Sequence, residues 1–266
     1  MRPNSRNGMQ LGFSLIELVL ALLVTAIVLG GLLLWFTRPL EALVAAHASA
    51  GAADTAERAL ARFAADVANA LPNSVRVACA GRCLELLSVV DAADYRAETP
   101  GNPLAFGGVD DTFDVLMPLA SAPAAGSHVV INNLDASAGG STSAYSADAA
   151  SNRATVAAGT TSAQIRIQPK QFPAPSPTQR FYVVGGPVSY MCAPSATGGT
   201  LRRLAGYAIQ AAQPTGTTLG DGLAEDVVAC RFDAVDPRLV SVELSVGASA
   251  SDAVQLFAQT RVVGDP

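Results

Sequence analysis

Lysine, histidine and tryptophan are nearly absent from this chain of 266 residues. Lys170 is the single lysine, so almost all positive charge is arginine, and the formal net charge is −5. No basic run or lysine-rich face is available in the sequence to bind a phosphate backbone. A nucleic-acid-binding role is therefore disfavoured.

Motifs for catalysis are also missing. The two histidines are His47 and His128, and no motif marks a serine as a nucleophile beside either of them. Gly139 and Gly140 lack the flanking strand, lysine and helix of a phosphate-binding loop. We therefore expect no enzyme activity, no catalytic residue and no cofactor.

Two groups of residues are candidate metal sites. Asp110, Asp111 and Asp114 lie close together, but they lack the ligand spacing of a calcium loop, and a solvated turn is the preferred interpretation. Cys79 and Cys83 form a Cys-x3-Cys pair, which would need further Cys or His ligands at a similar spacing to hold zinc. We expect no metal ion at either place.

The one long hydrophobic run lies near the start of the chain. Leu18 to Phe36 carries no charge, and a helix of that length crosses a hydrocarbon layer of about 30 Å. Arg2 and Arg6 precede the run, which orients the amino end inward and sends the rest of the chain outside. Glu17 lies at the edge of the run, where a carboxylate is costly unless it has a specific partner.

Residues 12–18, Gly-Phe-Ser-Leu-Ile-Glu-Leu, resemble the prepilin cleavage and methylation motif of type IV pilins and type II secretion pseudopilins. The resemblance implies that a prepilin peptidase cuts between Gly12 and Phe13 on the cytoplasmic side and methylates the new amine of Phe13. Glu17 is then the fifth residue of the mature chain, which in this family neutralises the terminal amine of a neighbouring subunit during filament assembly. In a low dielectric, each of these opposite charges lowers the desolvation cost of the other.

Shorter blocks are similar to minor pilins of the mannose-sensitive haemagglutinin (MSHA) pilus system. This resemblance implies a minor pilin that takes part in assembly or priming of a type IV pilus, beside other major and minor pilins. A J-type minor pseudopilin of type II secretion and a tip-located adhesin or binding module remain alternatives. The similar blocks are residues 58–63, 70–77, 83–90, Tyr95-Arg96, 188–192, 201–203 and Gly206-Tyr207.

Two other interpretations of the apolar run stay open. A secretory signal peptide also has a basic start and an apolar core, and Ala46-His47-Ala48 or Ala48-Ser49-Ala50 could serve as its cleavage site. A plain membrane anchor with a periplasmic domain is the other interpretation. Neither explains the Gly-Phe-x-x-x-Glu spacing.

Residues 41–71 predict a helix that follows the apolar run. Leu60, Phe63 and Val67 recur at helical spacing, so we expect this face to pack under a sheet. Pro39 is expected to kink or open the helix locally without ending it. On another face, four charged residues step by four along the helix and can pair: Asp54, Arg58, Arg62 and Asp66.

Beyond Pro72 the pattern becomes that of strands. Leu84-Glu85-Leu86 alternates, so Glu85 is expected on the solvent face. Residues 120–162 are rich in Ala, Ser and Gly and predict long surface loops. Strands are predicted near residues 75–77, 84–86, 111–119, 128–134, 164–168, 181–184, 188–192, 201–209, 240–246 and 253–263.

Four cysteines, all beyond the apolar run, indicate disulfides in an exported domain, and three connectivities are possible. The favoured pairing joins Cys79 to Cys83 in a tight loop and Cys192 to Cys230 across distant segments.

The predicted fold is α+β: a pilin-like ladle in which a long N-terminal α-helix, transmembrane in its first half, packs against an antiparallel β-sheet head. Residues 1–12 are the leader peptide, 13–38 the transmembrane half of the helix, 39–72 its amphipathic half, and 73–266 the periplasmic head. We expect a single-pass inner-membrane protein that later enters a pilus filament or tip. Its expected partners are the prepilin peptidase, other pilins and the inner membrane.

Overall fold

One long helix and twelve strands form the described part of the chain, which is residues 14–236 and 238–264 of a computed structural model. The chain divides into two compact units, residues 1–50 and 51–266. Within the helix, the side chains of residues 33–42, 44 and 45 are not described. The elements are α1 (Leu15–Ala68), β1 (Arg76–Ala78), β2 (Cys83–Asp94), β3 (Asp110–Asp114), β4 (His128–Ile131), β5 (Arg153–Thr155), β6 (Gln164–Lys170), β7 (Arg180–Ala193), β8 (Thr200–Ala205), β9 (Asp221–Glu225), β10 (Val227–Asp236), β11 (Leu239–Val246) and β12 (Val254–Arg261).

The helix α1 passes through Pro39 without ending, as predicted. Its last residue is Ala68, three residues before the predicted end. The difference arises because the backbone N–H of Leu71 donates to the carbonyl of Leu87 in β2, at 2.8 Å, and so joins the sheet rather than the helix. Sheet pairing therefore ends the helix slightly earlier than the proline at position 72.

The central strand of the head is β7. All along one edge it pairs antiparallel with β2, which in turn pairs with β1. The other edge is shared, because β4 pairs with residues 181–184 of β7 and β8 pairs with residues 188–193. The outer strands β5 and β9 complete this seven-stranded sheet. A second sheet has the order β10-β11-β12, and β3 pairs with β6.

The head has its main hydrophobic core where the second half of α1 packs against both larger sheets. Phe63 contacts the ring of Tyr190 edge-on, with centroids 5.2 Å apart, and stacks on Phe232 of β10 at 5.6 Å. Leu60 and Val67 are buried in the same cluster, so the predicted packing of this helix face under a sheet is confirmed. Burying each such side chain stabilises the head by about 1.5–3 kcal/mol.

The opposite face of the seven-stranded sheet is covered as well. Tyr145 and Ala144 pack there against Leu87, Val130 and neighbouring side chains. A third cluster lies around Phe113 and Phe181, where β3 and β6 meet the ends of the large sheet. The central strands β2, β4 and β7 are thus buried on both faces over part of their length.

The predicted fold class, α+β with antiparallel sheets, is confirmed. The β7–β8 hairpin and the β11–β12 pair also form as predicted. Two predicted strands, 181–184 and 188–192, are one continuous strand that passes Gly185-Gly186. The strands β5, β9 and β10 were not predicted. In β10, two register shifts against β11 break the alternation of its side chains.

The predicted loops over residues 120–162 form over most of that segment, but parts of the segment are not at the surface. It contains β4 and β5, and Tyr145 and Asn133 are buried within it. The amide of Asn133 donates to the carbonyl of Pro72 at 2.8 Å, and the hydroxyl of Tyr145 donates to the carbonyl of Ser74 at 2.9 Å. These bonds to distant backbone fix a segment whose composition is typical of a loop.

Candidate functional site

The first part of α1 has an apolar surface that nothing in the described chain covers. Residues Leu15–Leu32 have a mean hydropathy of 2.6, and none of them is buried. Leu15 is 81% exposed and Ile16 is 75% exposed. By length and composition this segment could be a membrane span or a signal sequence.

Glu17 lies in the first turn of this apolar helix. Ser14 precedes the helix, and its carbonyl accepts the backbone N–H groups of Glu17 at 3.0 Å and Leu18 at 3.1 Å. The positive end of the helix dipole favours a carboxylate at this position by about 0.3–1 kcal/mol. In hydrocarbon that gain would be small beside the cost of an unpaired carboxylate, so a Glu17 carboxylate placed there would call for a cationic partner.

The remaining polar group of the segment is satisfied within the helix. The hydroxyl of Thr25 donates to the carbonyl of Ala21 at 2.7 Å. This bond lets the side chain lie in an apolar environment without an open donor. Gly12 and Phe13, the predicted cleavage and methylation residues, lie outside the described residues.

In the head, α1 is held to the large sheet by a charged contact that the sequence only half predicted. Asp66 was expected to pair with Arg62, and their charged atoms lie 3.6 Å apart. The same carboxylate also accepts from Arg203 Nε at 2.6 Å and from the hydroxyl of Tyr190 at 2.7 Å. Burial and the bond to Asp66 raise the pKa of Tyr190, and the same carboxylate raises the pKa of Arg203.

The prediction that Glu85 faces solvent is wrong, because its side chain is completely buried. Its Oε2 accepts from Arg76 Nε at 2.7 Å and lies 2.6 Å from Arg76 Nη2, while its Oε1 accepts from the hydroxyl of Tyr207 at 2.9 Å. Arg76 also covers the ring of Tyr145, 3.8 Å from its centroid. Burial raises the pKa of Glu85 despite the neighbouring guanidinium. The strand is buried on both faces from Cys83 to Leu87, and the sequence signal for this is the adjacent pair Leu86-Leu87, which breaks the alternation.

The four cysteines form two pairs in the structure. Cys79 joins Cys83 with a Cα–Cα distance of 5.4 Å, and Cys192 joins Cys230 at 6.5 Å. This is the pairing favoured from the sequence. The first closes a short 3-10 turn between β1 and β2, and the second ties β7 to β10 across the main core.

The acidic cluster serves the backbone of its own region. Asp110 accepts from the N–H groups of Ala105 and Thr112, and Asp114 accepts from that of Asn102 at 2.8 Å. The hydrogen bond from the Asn102 backbone lowers the pKa of Asp114, and a hydrogen bond from the side-chain amide of Gln164 lowers it further. Within residues 14–236 and 238–264, no group of three His, Cys, Asp or Glu side chains could hold a metal ion.

The two histidines lie in different elements of the chain. His47 is exposed on α1, and His128 opens β4, as predicted. Comparison with protein-family models, with curated proteins and with solved structures finds no match to this chain. The function of the chain is therefore inferred from its own residues, and first from the apolar stretch of α1 with Glu17 in its first turn.

Proposed function

We propose that this protein is a minor pilin that takes part in assembly or priming of a type IV pilus of the MSHA type, and that it resembles the MshO group. In this proposal the first part of α1 stores the subunit in the inner membrane with its head in the periplasm. A prepilin peptidase removes residues 1–12, and the same helix later packs among the helices of other pilins.

One observation carries the proposal: Glu17 is the acid in the first turn of α1, at the start of an apolar stretch in which no residue is buried. A lipid-embedded carboxylate calls for a buried cation, and the new amine at Phe13 of a neighbouring subunit has the required charge. Burying the two together offsets the several kcal/mol that each ion would cost alone. The apolar surface beside Glu17 then serves both for membrane storage and for packing against neighbouring helices.

The head supports the proposal without deciding it. It combines the second half of the helix with antiparallel sheets, which fits the pilin-like ladle expected from the sequence. Two disulfides fit an oxidising compartment outside the cytoplasm. A J-type pseudopilin of type II secretion would share these features, and the sequence blocks similar to MSHA minor pilins favour the pilus.

The test replaces Glu17 by alanine in the full-length chain. We expect processing at Phe13 to continue and incorporation into filaments to fall by about tenfold or more, since the buried amine loses its partner. The measurement combines mass spectrometry of the first peptide with immunoblotting of sheared filaments. Glu57→Ala is the matched control, because Glu57 is an exposed glutamate on the head part of the same helix.

Two results would contradict the proposal. Normal filament incorporation of Glu17→Ala would remove the assembly role of this carboxylate. A mature wild-type chain that begins near Ser49 or Gly51 would show a cleaved signal peptide, and no apolar helix would remain to pack in a filament.

A further inference from the structure

The only lysine of the chain, Lys170, lines a cleft together with His128 and Arg153. The cleft is open and has a volume of about 290 Å³, and Ser146 and Thr155 also line it. Three side chains that can carry positive charge thus converge in a protein whose net charge is −5. This clustering is independent of the apolar helix and of the proposed assembly role.

The strands bring these groups together through their register. In the β4–β5 pair, His128 lies opposite Thr155 and Val130 lies opposite Arg153. Side chains alternate along a strand, so these four point to one face while Val129 and Ala154 point to the other. Lys170, at the end of β6, joins them because β6 lies beside β5.

The cations in the cleft bond to neutral groups. Arg153 donates to the carbonyls of Ala144, at 2.8 Å, and Ser146, at 3.5 Å, while Lys170 donates to the carbonyl of Ala149. Among the described ion pairs, none involves Arg153 or Lys170. These carbonyls hold the cations in place without neutralising their charge.

One carboxylate, that of Asp148, lines the cleft. It accepts the backbone N–H of Ala150 at 2.9 Å and so stabilises its own turn. Burial, followed by the charge of Arg153, lowers the pKa of both His128 and Lys170, while Asp148 raises that of Lys170 only as a smaller effect. The protein alone therefore leaves an excess of positive charge here.

We propose that this cleft binds an oxyanion: the sulfate, phosphate or carboxylate group of a small acidic ligand, such as an acidic sugar. Arg153 supplies a planar donor, Lys170 a point charge and the two hydroxyls neutral donors. The cavity is slightly smaller than the pockets that enclose drug-sized ligands, which suits a ligand of about one sugar ring. An anion here relieves the mutual repulsion of the cations.

Binding strengthens as the pH falls, because His128 is held neutral by its surroundings and gains charge when acid is added. The charged groups that face it are Arg153 on β5, Lys170 on β6 and Asp148 in the segment between β4 and β5. A bound anion favours the charged imidazole and so raises the pKa of His128. The chain's other histidine, His47, lies on α1 and serves as an internal control for this change.

The experiment follows the two imidazole signals by NMR in the full-length protein, held in uncharged detergent at constant ionic strength. Sodium sulfate replaces chloride in one arm, and a sulfated monosaccharide is compared with the unsulfated sugar in the other. We expect a saturable response of His128 alone, with a Kd of about 1 mM or below, and stronger binding at pH 5.5 than at pH 7.5. A response to the sulfated sugar at lower concentration than to sulfate identifies a sugar-borne anion; a response to sulfate alone identifies a free anion.

Lys170→Gln provides the variant, and Arg261→Gln, at the exposed end of β12, is the control with the same change in net charge. Sulfate affinity should fall about tenfold in the first and stay unchanged in the second. Circular dichroism checks that both fold. A non-saturable response, or equal responses of His47 and His128, would overturn the proposal, and so would unchanged affinity in folded Lys170→Gln. If Lys170→Gln does not fold, the wild-type response decides.

Discussion

The helix α1 contains two stretches of the same secondary structure that meet opposite surroundings. Residues 15–32 are apolar on every side, and none is buried. Residues 56–67 place Phe63 and Val67 in the main core, while Glu57, Arg58 and Arg62 stay exposed. A helix that is apolar all round belongs in a hydrophobic solvent, whereas an amphipathic one belongs at a protein surface.

The first stretch is folded as a helix, and what it lacks is a partner that covers its apolar surface. Its backbone forms hydrogen bonds within the helix, and the hydroxyl of Thr25 has an acceptor there. What remains unfavourable in water is the exposed apolar surface. In the second stretch, the same kind of surface is covered by two sheets of the chain itself. Lipid or neighbouring helices would do for the first stretch what the sheets do for the second.

The largest contrast should come from truncating one large apolar side chain in each stretch. Phe63→Ala removes a ring that contacts Tyr190 and Phe232, and should lower the free energy of unfolding of the head by about 3–5 kcal/mol. Leu23→Ala, where the side chain is 56% exposed, should change it by less than about 0.5 kcal/mol. Urea unfolding of the full chain in detergent, followed by near-ultraviolet circular dichroism, measures both. Equal effects would show that the two stretches have the same surroundings.

A smaller effect is expected at the charged contact between α1 and the sheet. Asp66→Asn leaves Arg203 without an ionised acceptor in a partly buried site, and should cost about 1–3 kcal/mol. Asp54→Asn is the matched control, since Asp54 pairs with Arg58 on an exposed face. The same urea experiment applies. A cost at Asp54 as large as that at Asp66 would mean that burial does not set the strength of these pairs.

The sequence predicted those features of the helix that depend on neighbours in the chain. Leu60, Phe63 and Val67 follow one another at helical spacing, so their common face was evident before their partners were known. The pair between Arg62 and Asp66 was predicted for the same reason. Tyr190 and Arg203 reach Asp66 from 124 and 137 residues away, and no local pattern reveals such a contact.

The sheet shows where a two-residue alternation misleads. Glu85 stands between Leu84 and Leu86, which usually indicates that the polar residue faces water. Here Tyr145 and Arg76 cover the second face, so the acid is buried with its cation. The segment that carries Tyr145 lies within residues 120–162, is rich in alanine and serine, and was predicted to be a loop from that composition. The sequence of a strand shows which side chains share a face of the sheet. It does not show whether another segment covers that face.

Of the two candidate sites, one could be predicted from the sequence and the other could not. Glu17 could be placed at the start of the apolar helix because it directly precedes the uncharged run. The cleft lined by His128, Arg153 and Lys170 could not be predicted, since its cations come from three strands that are separated in sequence. Only the strand register brings them to one face.

The smallest effect should come from the exposed pair on the second stretch. Arg58 Nη1 lies 2.5 Å from the carboxylate of Asp54, but both side chains are more than 60% exposed. Water screens this pair, so Arg58→Ala should lower the free energy of unfolding by only about 0.3–0.5 kcal/mol, and less in 1 M salt. Comparing urea midpoints at low and high salt checks this. A loss above about 1 kcal/mol that survives high salt would show that the charged face of α1 is packed rather than solvated, and the contrast between its two faces would then fail.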